Sequence, residues 1–236
     1  MSEIIKGVDI SKWEDDPDTQ VSINYSQMYH AGARFCFFRA GLGLYEDIIF
    51  KANYNLAKLG RLLTGSYWYL IWTVSIVDQI QAYMKLINTT QLHFSPCLDY
   101  EEKNGLTNRK DISGRLALAA HLLYDKYQVF PIIYTDPSMW QEWYSDDPIF
   151  THCPLWIAHW GVKQPHIPKP WTDYLFWQYQ VSINGADYGV ESKEIDLNVF
   201  RHGYPELYRL AKMTYVPDEK LPPAQQLSKL IDIHRF

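Results

Sequence analysis

Two carboxylates two residues apart, Asp99 and Glu101, close an apolar run that begins at Pro96. If Pro96–Glu101 is a β-strand, its side chains alternate, so Cys97, Asp99 and Glu101 share one face and Leu98 and Tyr100 the other. The strand rise then sets the two acidic Cβ atoms roughly 6.5–7 Å apart. A pair of acids can flank a glycosidic bond in that range. Acids this close disfavour joint ionisation, so one of them keeps its proton to higher pH. The same octapeptide, Ser95–Glu102, also fits an acidic surface turn that closes a strand. The choice depends on what else the fold brings there. By the same alternation Glu102 points to the opposite face.

The elements that must position these acids follow from apolar periodicity. Short strand-like runs cover Ile4–Ile10, Phe35–Gly41, Leu62–Leu70, Pro96–Glu101, Phe130–Thr135, Pro154–Trp160, Tyr174–Gln180 and Glu194–Phe200. Helical spacing predicts Tyr25–Gly32, Asp47–Gly60, Ser75–Ile87 and Asp111–Tyr127, the last with Asp111 as its cap, and a short piece over Ser138–Tyr144. Beyond the sixth strand Pro165, Pro168 and Pro170 exclude a full-length helix. Strand–helix alternation that gives way to strands alone predicts an α/β barrel with an irregular closing section.

In such barrels the site gathers at the C-terminal ends of the strands. Asp9, Asp99, Glu101 and Asp196 fall there, together with Tyr67, Tyr69, Tyr134, Trp156, Trp160, Trp177, Gln178 and Tyr179. Acids at the centre with Tyr and Trp around them suit a glycosidase, because aromatic rings bury area against sugar faces and still offer a polar edge. Several of these residues read equally well another way. Trp160, Trp177 and Tyr134 fit sugar platforms or barrel packing, His159 a structural or rim position, Asp136 a turn former before Pro137, and Cys97 core filling.

Composition narrows the classes. The chain has 236 residues, 47% of them hydrophobic, with a net charge of −5. That leaves no electrostatic footprint for a phosphate-tracking nucleic-acid partner. Its 9 Trp and 18 Tyr favour a carbohydrate or peptide groove. Cys36, Cys97 and Cys153 are odd in number and sit beside apolar residues, which predicts buried free thiols. No metal-ligand spacing or cofactor motif is present, and no apolar run approaches membrane-spanning length. The N-terminal residues lack the pattern of a signal peptide, so synthesis in the cytosol is expected. After Phe200 a helix is predicted over Tyr204–Tyr215, a proline-bearing linker over Val216–Pro223 and a second short helix over Ala224–Phe236.

Taken in order, these segments resemble the glycoside hydrolase family 25 lysozymes, Chalaropsis-type muramidases that include many phage endolysins. Asp9-Ile10-Ser11 resembles the family's Asp-x-Ser opening and Leu98-Asp99-Tyr100-Glu101 its Asp-x-Glu motif. Gly65-Ser66-Tyr67, Leu155-Trp156-Ile157-Ala158, Trp177-Gln178-Tyr179 and Ile195-Asp196-Leu197-Asn198 resemble its later strands. Arg39-Ala40 followed by Asp47, Phe50, Asn53 and Ala57 fits its second βα unit.

The resemblance implies an irregular TIM-like (β/α)5(β)3 barrel, placed over residues 1–203, and the residues after it read as a helical extension or linker over 204–236, not an independent domain. It implies hydrolysis of the β-1,4 bond between N-acetylmuramic acid and N-acetylglucosamine in peptidoglycan glycan strands, without a cofactor or metal. Glu101 would be the general acid. Asp99 would assist it by orienting the acetamido group or stabilising positive charge. Asp9 and Asp196 would complete an acidic floor, and Tyr67 would face the reacting sugar. Tyr69, Tyr134, Trp160, Trp177 and Gln178 are the further substrate-binding candidates.

The implied place of action is the bacterial cell wall, reached by phage-type release or another non-classical route. The chain departs from the family at Trp68, where many members carry His, and at Glu14, where Gln is common. No stretch resembles the wall-binding module that many members append. Two other readings fit the same residues: a barrel that binds glycan without cutting it, and a glycosidase of another N-acetylated polysaccharide. Oligomeric state and stereochemical outcome stay open.

Overall fold

The computed structural model describes residues 4–213 apart from 17 and 20. The predicted linker and second short helix beyond residue 215 lie outside them. Eight strands close on themselves: β1 (Ile5–Ile10), β2 (Ala33–Leu42), β4 (Leu63–Tyr69), β5 (Cys97–Asp99), β6 (Ile132–Thr135), β7 (Leu155–Ala158), β8 (Phe176–Ser182) and β9 (Ile195–Phe200). Each pairs with the next, and β1 pairs with both β2 and β9. All run parallel except β9, which is antiparallel to both its neighbours. A two-residue strand, β3 (Tyr45–Glu46), folds back on β2 as a hairpin.

Helices follow the first five barrel strands: α1 (Tyr25–His30), α2 (Phe50–Leu59), α3 (Ile76–Ile87), α4 (Arg109–Tyr127) and α5 (Pro137–Trp143). No α-helix separates β7 from β8 or β8 from β9. This is the (β/α)5(β)3 order that the resemblance implies. The helix starts have local causes. Asn24, Ser75 and Asp136 each accept a backbone N–H of the turn they open. For α4 the cap is Asn108, which accepts from Lys110 N, and the helix begins two residues before the expected Asp111.

Strand alternation produces two cores. Outward side chains pack with the helices, among them Phe38, Trp68, Ile133 and Ile157. Inward ones fill the barrel: Ile5, Phe35, Phe37, Leu63, Cys97, Ile132, Trp156, Phe176 and Phe200. Two inward positions are glycine because the rings need the space. A Cβ on Gly7 would stand 2.3 Å from Phe35, and one on Gly65 2.3 Å from Phe37. The lower end of the barrel is closed by α6 (Tyr204–Leu210), whose fully buried Leu207 joins the inner core together with Ala211. All three cysteines are free and buried.

Candidate active site

Parity along each strand decides what faces the barrel mouth. Above Phe37, Cys97 and Phe176 the inward positions become polar: Asp9, Arg39, Tyr67, Asp99, Tyr134, Gln178, Asn198 and Asp196. Ladder register aligns them, with Asp9 opposite Asp196, Arg39 opposite Tyr67, Asp99 opposite Tyr134 and Gln178 opposite Asn198. A cavity of about 90 Å³ at this level is lined by Asp9, Tyr67, Asp99, Glu101, Tyr134, Trp156, Gln178 and Asp196. All four acids predicted from the strand ends therefore meet, with Tyr67, Tyr134 and Gln178 beside them.

Asp9 is held from two sides. Its Oδ2 accepts from Asn198 Nδ2 at 2.7 Å and from Gln178 Nε2 at 3.0 Å. Both amides are fixed in turn. Trp156 Nε1–H donates to Asn198 Oδ1, while Tyr134 O–H and Trp160 Nε1–H both reach Gln178 Oε1. The nearby Tyr134 hydroxyl also lowers the proton affinity of the Glu101 carboxyl. Asn198 and Trp156 were quoted in sequence motifs, but their part in orienting Asp9 rests on a barrel closure that no local pattern shows.

Burial dominates the electrostatics. It pushes Asp9 up to about 6 against the pull of its two amide donors. Burial and then the nearby Asp9 push Glu101 up to about 7, with Glu102 and Asp136 adding to the repulsion. Asp196 rises to about 8 for the same two leading reasons, burial and Asp9. Asp99 lies deepest, one carboxylate oxygen buried with no protein partner, and burial followed by Glu101 and Asp9 drives it well above the usual carboxylate range. Glu14 adds a fifth charge to this group. Its carboxylate accepts from Ser11 N at 2.7 Å and Ser11 Oγ at 3.0 Å, and burial raises it too. Near neutral pH such a ring holds protons that free carboxylates would have lost.

Not every expected residue reaches the cavity. The strand ends at Asp99, so the two-residue alternation does not carry on to Glu101. Glu101 lines the cavity while remaining exposed overall. Glu102, expected to face away, does not line the cavity, although its charge adds to the repulsion on Glu101. Tyr69 is half-buried, and Trp160, 54% exposed, is tied to the site through Gln178. Trp177, between inward Phe176 and Gln178, lies on the outer face. Its ring packs against Tyr174 and Tyr179, and its Nε1–H donates to the His159 carbonyl. His159 Nδ1 accepts from His166 N, a structural role. Asp136 caps α5. Trp68 stacks outward on Tyr83 with ring centroids 5.3 Å apart.

Among the described residues no group of His, Cys, Asp and Glu side chains is arranged to hold a metal ion. No helix in them is long and apolar enough to cross a membrane.

The model of glycosyl hydrolases family 25 matches residues 8–187. The chain is similar to the uncharacterised protein YegX of Escherichia coli, 28% identical over 209 residues that cover 87% of this chain and 73% of that protein. It is also similar to lysozyme M1 of Streptomyces globisporus, 28% identical over 228 residues, 89% of this chain and 72% of that one. Among solved structures, the bacterial lysozyme of Streptomyces coelicolor superposes with a TM-score of 0.75 at 25% identity, covering 89% of this chain and 98% of that one.

Proposed function

The chain belongs to glycosyl hydrolase family 25, and on that footing we propose that its acid-lined cavity cleaves the β-1,4 bond between N-acetylmuramic acid and N-acetylglucosamine, with Glu101 as the proton donor. The protein is a peptidoglycan hydrolase of the lysozyme type and acts on the bacterial cell wall. The observation that carries the assignment is the meeting of Asp9, Asp99, Glu101 and Asp196 in one cavity at the mouth where the parallel strands end, with Asp196 supplied by the start of antiparallel β9.

Glu101 stands at the open side of that cavity with a proton affinity near neutrality, suited to protonating a leaving glycosidic oxygen. Asp99 lies beneath the sugar and assists by orienting its acetamido group. Its unpartnered oxygen is the acceptor that a substrate acetamido N–H would use. Asp9 and Asp196 form the floor, and Tyr67, Tyr134 and Gln178 meet the sugar at the walls. Tyr69 and Trp160 extend the contact at the rim, and Trp177 acts at one remove, through the His159 loop.

A barrel that only bound glycan would gain nothing from four acids gathered where burial opposes their ionisation. The test is release of new reducing ends from purified peptidoglycan. Wild type is expected to release them, and Glu101→Gln to fall about 10²–10⁴-fold. A variant with most of the wild-type rate would overturn the role of Glu101. A wild type that releases none would overturn the activity.

A further inference from the structure

A second cavity, of about 700 Å³, lies on the outer flank of the barrel, apart from the acid-lined one. Its volume falls in the range of about 300–1,000 Å³ that small-ligand sites occupy. The acid-lined cavity, at about 90 Å³, is far smaller. One wall of the second cavity is α5 and the turn after it, with Trp140, Tyr144 and Asp146. The other is the strap His166–Pro170 between β7 and β8. Both walls are pinned. Trp140 Nε1–H donates to the Lys169 carbonyl at 2.6 Å and Trp171 Nε1–H to the Cys153 carbonyl at 2.7 Å, with the two indole rings 4.3 Å apart. The Arg109 guanidinium lies over the Tyr144 ring at 3.7 Å. A groove fixed in this way needs little ordering when it binds.

Each wall also connects to the catalytic mouth. Trp140 packs edge-on against Tyr100, with ring centroids 6.0 Å apart, and Tyr100 stands between Asp99 and Glu101. In the strap, His166 N–H donates to His159 Nδ1 at 3.0 Å. The next residue, Trp160, bonds Gln178, the amide that holds Asp9. We infer that this groove takes the stem peptide of peptidoglycan, the short chain that hangs from muramic acid. The inference rests on the muramidase reading and names what the protein recognises beyond the sugar. Such peptides combine alanine methyls with a carboxylate and a side-chain amine, and the groove offers each a counterpart. Ile167, Pro168 and the Trp140 ring supply apolar surface. Lys169 is an exposed cation without an ion-pair partner among the described residues. Asp146 is an exposed acid whose ion pair, to Arg109, spans 3.6 Å. Asp147 beside it is already committed to His121 and to the Pro148–Thr151 turn. A polyanionic wall polymer fits worse, because both aspartates would face it.

The experiment compares soluble, uncrosslinked peptidoglycan with the same glycan strands stripped of peptide by an amidase. The proteins are wild type, Tyr144→Ala and the exposed charge reversals Asp146→Lys and Lys169→Glu. On peptide-bearing strands each variant is expected to raise KM about 5–10-fold, the usual effect of losing one anchor, with kcat unchanged. On stripped strands all four proteins are expected to coincide. In parallel, the free tetrapeptide of Ala, D-Glu, Lys and D-Ala is titrated into wild type by NMR. It is expected to shift the indole N–H signal of Trp140 and to leave that of Trp156, inside the barrel, in place. A wild-type KM on peptide-bearing strands in both charge reversals would overturn the inference, even if Tyr144→Ala fails to fold. So would a loss of equal size on stripped strands, which assigns these residues to the scaffold. A Trp140 signal that follows protein concentration and ignores the peptide would overturn it too, by giving the groove to a second copy. Failure of the muramidase reading shows separately, as a wild type that cleaves neither substrate, and the titration then still decides the groove.

Discussion

The two ends of the barrel are built from the same inward positions of the same strands, and they differ in everything that matters energetically. At the lower end Ile5, Phe35, Leu63 and Phe200 meet beneath α6, and Leu207 seals them from water. At the upper end the inward residues include Asp9, Arg39, Tyr67, Asp99 and Asn198, and four acids face one another across a small cavity. The lower end gains free energy from every contact it buries. The upper end loses it, since carboxyls are held where neither water nor opposite charge satisfies them in full. A fold can carry such a site because the stabilising and destabilising layers lie along one set of strands, where alternation passes the rigidity of one to the other.

This contrast predicts a double dissociation. Glu101→Gln breaks the upper end alone: hydrolysis falls about 10²–10⁴-fold, and Tm falls no lower than that of wild type because a repelled acid has been replaced by a neutral isostere. Leu207→Ala breaks the lower end alone. A large-to-small change at a fully buried leucine costs about 2–5 kcal/mol, or roughly 5–15 °C in Tm for a chain of this size. Specific activity measured well below Tm should stay near wild type. A Leu207→Ala protein with normal Tm would mean that α6 only rests on the barrel. A Glu101→Gln protein that melts early would mean that the mouth contributes to stability.

The same contrast explains what could be read in advance. Runs such as Phe35–Gly41 and the prolines after Trp160 mark strands and the missing helices, because both are local signals. The acids were legible because carboxylates at strand ends have few structural uses that place so many together. Inside an apolar strand Arg39 reads as a strand residue with a charged tip. Its inward direction becomes meaningful only when β2 is paired on both edges. Glu102 lies three residues past the end of β5, beyond the reach of strand alternation, and is not among the residues that line the cavity. Trp177 shows a signal that was available: adjacent strand residues cannot both face the interior, and Gln178 takes the inward place.

The smallest expected effect concerns the cost of the upper end. Burial and Asp9 raise Asp196 from 3.8 to about 8, so the folded state binds a proton there that the unfolded chain has released. Between those values the folded protein holds more protons than the unfolded one, and stability must fall as pH rises. The contribution of protonated Asp196 is fully present below about pH 4 and is lost as pH climbs through about 8. Asp196→Asn removes the ionisation, so it should be neutral near pH 4 and stabilising at pH 8.5. Asp196 is partly open to solvent, which discounts the gain to about 1 kcal/mol, or about 2–4 °C in Tm. Thermal unfolding of both proteins from pH 4 to 8.5 measures it. A difference that is constant with pH would place the strain in packing, and one that grows toward acid would mean that Asp196 is held charged in the fold. A gain confined to neutral and alkaline pH would fix the sign that the acid ring requires: the mouth of this barrel is charged at the expense of the stability that its floor provides.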